Sequence, residues 1–242
     1  MVATNRKTTR GRGRPKGSGG LRVYEEIKNQ ILTLSLKPGT DIDEPTLVKM
    51  FGLSRTPVRE ALIKLEADGL LHIVPNRGAR VSALDFNNIG KLFEALDLYS
   101  RAICRLAALR RNTSAIADAK KASADFAHAA RDKNYREMGE ANLRFHLELG
   151  RASGNLYLTD AQTRILSETR RLAYLVHNES ARQQEEQKRY FSQLVEEHEQ
   201  MIDYIERGDA GEAERLAAKH TRLFQETLAR HILSNDLASL KV

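Results

Sequence analysis

The chain has 242 residues, 29% of them charged and 41% hydrophobic, with a formal net charge of +7 and one cysteine. That length suits a small domain of roughly 60 residues followed by a larger one of roughly 150. No apolar run approaches the ~18 residues of a membrane span. The polar, basic start lacks the apolar region of a secretory signal, and the lone Cys104 has no internal disulfide partner; both lead us to expect a cytoplasmic protein with no membrane partner.

In chain order, the net charge comes first. Arg6, Lys7, Arg10, Arg12, Arg14, Lys16 and Arg22 face no acid in residues 1–22, so the remainder is formally neutral. Residues 1–20 are expected to form a disordered basic tail. Its core, Arg12-Gly13-Arg14-Pro15, resembles an AT-hook. Arg12 and Arg14 then either enter the narrow minor groove of A·T-rich DNA or attract phosphates without sequence preference.

Residues 21–84 predict a winged helix-turn-helix. Val23, Ile27, Ile31 and Leu34 carry helical periodicity up to the stop at Lys37-Pro38-Gly39. Asp43-Glu44-Pro45 starts a second helix, buried through Leu47, Val48 and Phe51 and ended by Gly52. In the third, Val58, Ala61, Leu62 and Leu65 form an inward stripe, while Arg55 and Arg59 project together, one turn apart, with Thr56 beside them. Ser54 or Thr56 can cap this helix, and Pro57 fits its first turn. Alone it reads equally as an ordinary amphipathic helix with solvated arginines. A tight glycine turn before it and a hairpin after it make it a recognition helix instead. The hairpin runs over 70–74 and 79–83, turning at Pro75-Asn76-Arg77-Gly78. Its tip offers Arg77 and Arg80 to phosphate or minor groove, and Gly78 permits close backbone approach. Eight bases balance eight acids in residues 23–84, so placement of charge, not bulk basicity, must bind DNA.

From 85 to 235 helical patterns alternate with short polar or glycine-bearing breaks, which predicts an antiparallel six-helix bundle with helices near 86–111, 114–132, 134–152, 155–180, 184–207 and 210–233, and a tail at 236–242. The chain is thus mainly α. Asn142 and His146 share a helix face. His198 and His220 are symmetric about residue 209 in the Gly208-Asp209 turn, so an antiparallel hairpin sets them at one height. Together the four side chains suit a divalent metal with His-rich ligation; solvated or core histidines are the open alternative. His72, His128, His177 and His231 lack that convergence, although His177 lies on a helix able to line a cavity.

The run Ser54-Arg55-Thr56-Pro57-Val58-Arg59-Glu60-Ala61-Leu62, then Leu65-Glu66, Asp68-Gly69-Leu70 and Asn76-Arg77-Gly78, resembles the GntR superfamily of bacterial transcription regulators, in its FadR-like branch with an FCD-type, VanR-like C-terminal domain. The resemblance implies that Arg55, Arg59 and Gly78 meet operator DNA. It implies that Asn142, His146, His198 and His220 hold a metal, zinc first with nickel or manganese as alternatives. It further implies a small organic-acid effector paired with cavity arginines, for which Arg101, Arg105 and Arg164 are candidates and His177 an additional contact. Pro45 and Leu96 stand where members of the family often carry arginine. A homodimer on a palindromic operator, bound to the nucleoid and released by effector, is the expected mechanism rather than catalysis. The alternatives are a metal-dependent enzyme and an architectural A·T-rich DNA-binding protein. His198-Glu199-Gln200-Met201-Ile202 lacks the second histidine of a zinc-protease helix.

Overall fold

A computed structural model describes residues 18–75, 77–84, 86–177 and 184–234. The N-terminal unit contains α1 (Ser18–Leu32), β1 (Asp41–Ile42), α2 (Glu44–Phe51), α3 (Arg55–Ala67), β2 (Leu71–Val74) and β3 (Gly78–Val81). The strands form an antiparallel sheet of order β1-β3-β2, with Asp41 opposite Arg80 and His72 opposite the same residue on the other side. Asp43 caps α2 through Thr46 N at 2.9 Å, and Gly52 closes it in the left-handed region at φ 63°. Ser54 is the N-cap of α3 by its extended backbone, without a side-chain cap bond. Val58, Ala61, Leu62 and Leu65 are buried as the stripe requires, against Val23, Ile27 and Ile31 of α1. Each valine, leucine or isoleucine among them stabilises by about 1.5–3 kcal/mol when removed from water.

Two details depart from the sequence reading. First, α1 begins at Ser18 rather than near Val23, so it takes in residues assigned to the tail. Gly19 and Gly20 carry no periodicity signal, yet they lie against the α2–α3 turn and the start of α3: an added Cβ would stand 2.9 Å from Leu53 Cδ2 and 3.2 Å from the Pro57 carbonyl, respectively. Second, β1 was not expected. At two residues it is too short for alternation to reveal, and it forms because Val81 N donates to Thr40 O at 2.9 Å beside the hairpin.

After a single 3-10 turn (Phe86–Asn88) come α4 (Ile89–Arg110), α5 (Thr113–Arg131), α6 (Tyr135–Ser153), α7 (Leu156–His177), α8 (Gln184–Arg207) and α9 (Ala210–Ser234). These are the six helices expected. Their turns owe their sharpness to local chemistry: Asn112, Asn134 and Asp209 accept from the third amide beyond them, and Gly154 and Gly208 adopt positive φ. Alanines at 107, 108, 115, 119, 122, 152, 213 and 217 are buried, allowing the helices to approach closely around Ile103, Phe145, Leu149 and Met201. No described helix is long and apolar enough to cross a membrane. The two units meet along α7, where buried Arg171 reaches the Ser82 carbonyl just after β3 at 2.6 Å.

Candidate metal centre and nucleic-acid interface

Three helices deliver three imidazoles to one point. His146 from α6, His198 from α8 and His220 from α9 offer nitrogen atoms that all lie within 4.8 Å of one another. The hairpin of α8 and α9 turns at Gly208-Asp209, which sets His198 and His220 at one level, as the midpoint arithmetic requires. Phe145 stacks on the His198 ring at 3.9 Å between centroids and Phe126 leans on it at 5.2 Å, fixing its orientation. Burial, with His220 close by, pulls the His146 imidazole down to about 3 and holds His198 well below its ordinary value. Both rings are therefore neutral at physiological pH and present lone pairs without first losing a proton.

Both ring nitrogens of His198 are buried without a hydrogen-bond partner. A fully buried imidazole in that condition forfeits its hydration and gets nothing back. A divalent cation would supply a partner for one of the two nitrogens, and three imidazole donors suit zinc, nickel or another borderline ion. His220 is already oriented for it: Nδ1 lies 2.9 Å from Glu197 Oε2, leaving Nε2 as the lone pair. Burial pushes the Glu197 carboxyl up, but His220, Gln193 and Lys219 outweigh it and hold the group below the usual carboxylate range. We expect Glu197→Gln, which keeps shape and removes charge, to weaken metal affinity by about 10–100-fold in competition with a chromophoric chelator, with unchanged helicity. Unaltered affinity would show that the carboxylate is only packing.

His146 and His220 form part of the wall of a cavity of about 70 Å³. Asn142 lines it together with His146 and His220, one turn away on α6. The rest is largely apolar, including Leu96, Phe126, Leu166 and Phe224, with one guanidinium, Arg170. That side chain is 9% exposed, pairs with Glu140 at 2.5 Å, and keeps Nη1 buried without a partner.

The expected cavity arginines lie elsewhere. Arg101 and Arg105 sit on the outer side of α4 and clamp Glu214 of α9 at 2.8 and 3.1 Å. Arg164 is exposed and directed at Gly69 of the N-terminal unit. The side chain of His177 lies outside the described residues. A readable signal existed for Arg170, because Leu166, Thr169, Arg170 and Ala173 share one face of α7 and all line the cavity. One existed for Glu197 too, since the arithmetic that pairs His198 with His220 places it beside the same hairpin rung.

On the opposite unit, Arg55, Thr56 and Arg59 are exposed along the start of α3. Neither arginine engages in an ion pair or hydrogen bond among the described residues, so both donor sets are available to nucleic acid. Arg80 is committed instead: its guanidinium grips Asp41 across β1–β3 at 2.6 and 3.1 Å. Gly78, at φ 93°, makes its close approach to the chain itself, since a Cβ there would lie 2.3 Å from the Ile42 carbonyl oxygen. Arg77 is exposed at the tip, and Arg12 and Arg14 lie outside the described residues.

Residues 20–81 match the family described as bacterial regulatory proteins, gntR family, and residues 91–223 match the FCD domain. A transcriptional regulator from an unstable DNA locus of Streptomyces ambofaciens is 29% identical over 91% of this chain and 92% of its own. The regulator LutR of Bacillus subtilis is 27% identical over 83% of this chain and 96% of its own. Over 28% of the chain, the transcriptional repressor RspR of Escherichia coli is 36% identical, covering 29% of that protein. Among solved structures, E. coli McbR/YncC shares the fold with a TM-score of 0.72 at 18% identity, over 90% of this chain and 99% of that one.

Proposed function

Because this chain belongs to the GntR family of bacterial regulatory proteins and carries an FCD domain behind its DNA-binding domain, we propose that it is a repressor whose operator affinity is set by a small organic acid bound beside a metal ion. His146, His198, His220 and Asn142 hold the ion, zinc in the first instance. A bound divalent ion supplies a concentrated positive charge that attracts carboxylate or hydroxyl oxygen. The protein's own part is to complement it. Arg170 lines the same cavity and keeps a buried Nη1 without a hydrogen-bond partner, a donor for a carboxylate, and thereby takes the place that arginine at position 96 would fill. Apolar walls exclude water and favour a compact acid.

The observation that carries this reading is the pair of orphaned nitrogens on His198 beside two further imidazoles. A DNA-binding protein of purely architectural type has no use for such a group. The arginines of α3 enter the major groove, two chains place two such helices on a palindrome, and the basic tail adds general or minor-groove attraction in the cytoplasm. Repression takes support from the name of RspR, and the matched families are those of regulators rather than enzymes. Selection of genomic fragments by the zinc-loaded protein at near-physiological salt is expected to enrich a palindrome. Recovery of diffuse A·T-rich DNA alone would count against a specific repressor.

A further inference from the structure

Two consecutive arginines on α7 face opposite tasks. Arg170 borders the cavity and also a cleft between the units, shared with Leu32 and Thr33 of α1 and Gly139 of α6. Arg171, turned about 100° around the helix, is wholly buried and donates from Nη2 to the carbonyl of Ser82 at 2.6 Å. Ser82 is the residue at which the winged unit ends. Its amide donates to Leu70 O at 3.1 Å, at the close of the turn after α3, and its hydroxyl meets His72 Nε2 of β2 at 3.3 Å. One guanidinium of the bundle thus holds the point where recognition helix, wing and connection converge.

That grip is incomplete. Nε and Nη1 of Arg171 are buried without hydrogen-bond partners, and Nη1 has only a long ion pair, to Glu168 at 3.7 Å. Two donors without hydrogen bonds on a buried cation cost stability, which an arrangement that satisfied them would recover. Its neighbour is in a similar condition: Arg170 has one ionic partner, Glu140 at 2.5 Å, and one free buried donor.

We propose that the Arg170–Arg171 pair makes α7 the coupling element of the protein, with Arg171 latching the winged unit to the bundle through the Ser82 carbonyl and Arg170 shifting the helix when a carboxylate draws it from Glu140. The Arg170 half rests on the effector reading above; the latch does not. Because the two side chains share one rigid helix, a small rotation that improves the contacts of the first disturbs those of the second.

Amide hydrogen exchange on the full chain, with and without zinc, tests both halves without knowledge of the effector. Arg171→Met, which keeps volume and removes the donors, is expected to speed exchange at residues 81–84 at least tenfold while the α4 core around Ile103 stays protected. Arg171→Lys restores charge and one donor and is expected to fall between, and it decides the matter if the methionine variant also loses bundle protection. Arg170→Met, although its ion pair lies within the bundle, is expected to speed the same amides at least threefold. Wild-type exchange in Arg171→Met and Arg171→Lys overturns the latch. Wild-type exchange in Arg170→Met alone overturns the relay. An empty metal site in a protein that still shows these changes refutes the metal reading and leaves the coupling intact.

Discussion

In His198→Ala the protein no longer gains stability from zinc. Binding of a structural zinc is worth about 10–16 kcal/mol over three or four donors, so one donor accounts for about 3–4 kcal/mol, on the order of a hundred- to thousandfold in affinity. At a hundredfold excess over its dissociation constant, zinc stabilises the wild type by about 2.7 kcal/mol, which for a chain of this size raises the melting temperature by roughly 5–10 °C. The variant is expected to show no rise at the same concentration. Its metal-free form should melt close to the wild type, because two opposing effects are of similar size. Truncation gives up the stacking on Phe145, about 0.5–1.5 kcal/mol, and it also removes two buried nitrogens that lack partners. Equal zinc stabilisation of both proteins would place the ion elsewhere.

Arg59→Ala is expected to weaken specific operator binding sharply without touching the fold. The side chain is exposed and unpaired among the described residues, while Val58 and Leu62 on either side of it are buried, so its removal leaves the packing of α3 intact. A guanidinium reading a guanine edge is worth about 1–3 kcal/mol, and a dimer loses two, so affinity for a selected palindrome should fall about 30-fold or more. Binding to unrelated DNA should change little, and the melting temperature should move by less than about 0.5 kcal/mol of stability implies. Arg55→Ala should behave alike. Arg80→Ala should not, since that guanidinium is occupied by Asp41. If Arg59→Ala and Arg80→Ala had equal effects in polarisation titrations, α3 would not be the reading element.

The bundle was legible because its breaks carry their own chemistry. Asn112, Asn134 and Asp209 each cap the helix that follows, and Gly154 and Gly208 end the helices before them, so the boundaries fall within a few residues of their expected positions. The histidine convergence was legible for a different reason: hairpin symmetry converts sequence distance into height along a helix. What remained hidden depends on tertiary neighbours. Arg101, Arg105 and Arg164 lie on helices of the right domain, yet they point outward, and helical phase relative to the apolar face separates them from Arg170. Arg171 has no such signal, because a fully buried guanidinium contradicts the general preference of arginine for water and is explained only by the Ser82 carbonyl across a domain boundary. Gly78 was read for its freedom to approach DNA, whereas β1, too short to read, is what it approaches.

Three places on the molecule act together: the α3 arginines, the imidazole cluster beside its cavity, and α7 between them. Each can fail separately. The most direct test of the whole is the affinity of the full chain for its selected palindrome, followed by fluorescence polarisation with metal removed, with zinc, and with zinc plus a panel of small mono- and dicarboxylates. The account predicts that at least one acid changes affinity in the zinc-loaded protein by about 5–150-fold, the usual range of coupling between two sites, and that His198→Ala loses the response. Identical affinity under every condition, in protein shown by metal analysis and calorimetry to hold both zinc and acid, would contradict it.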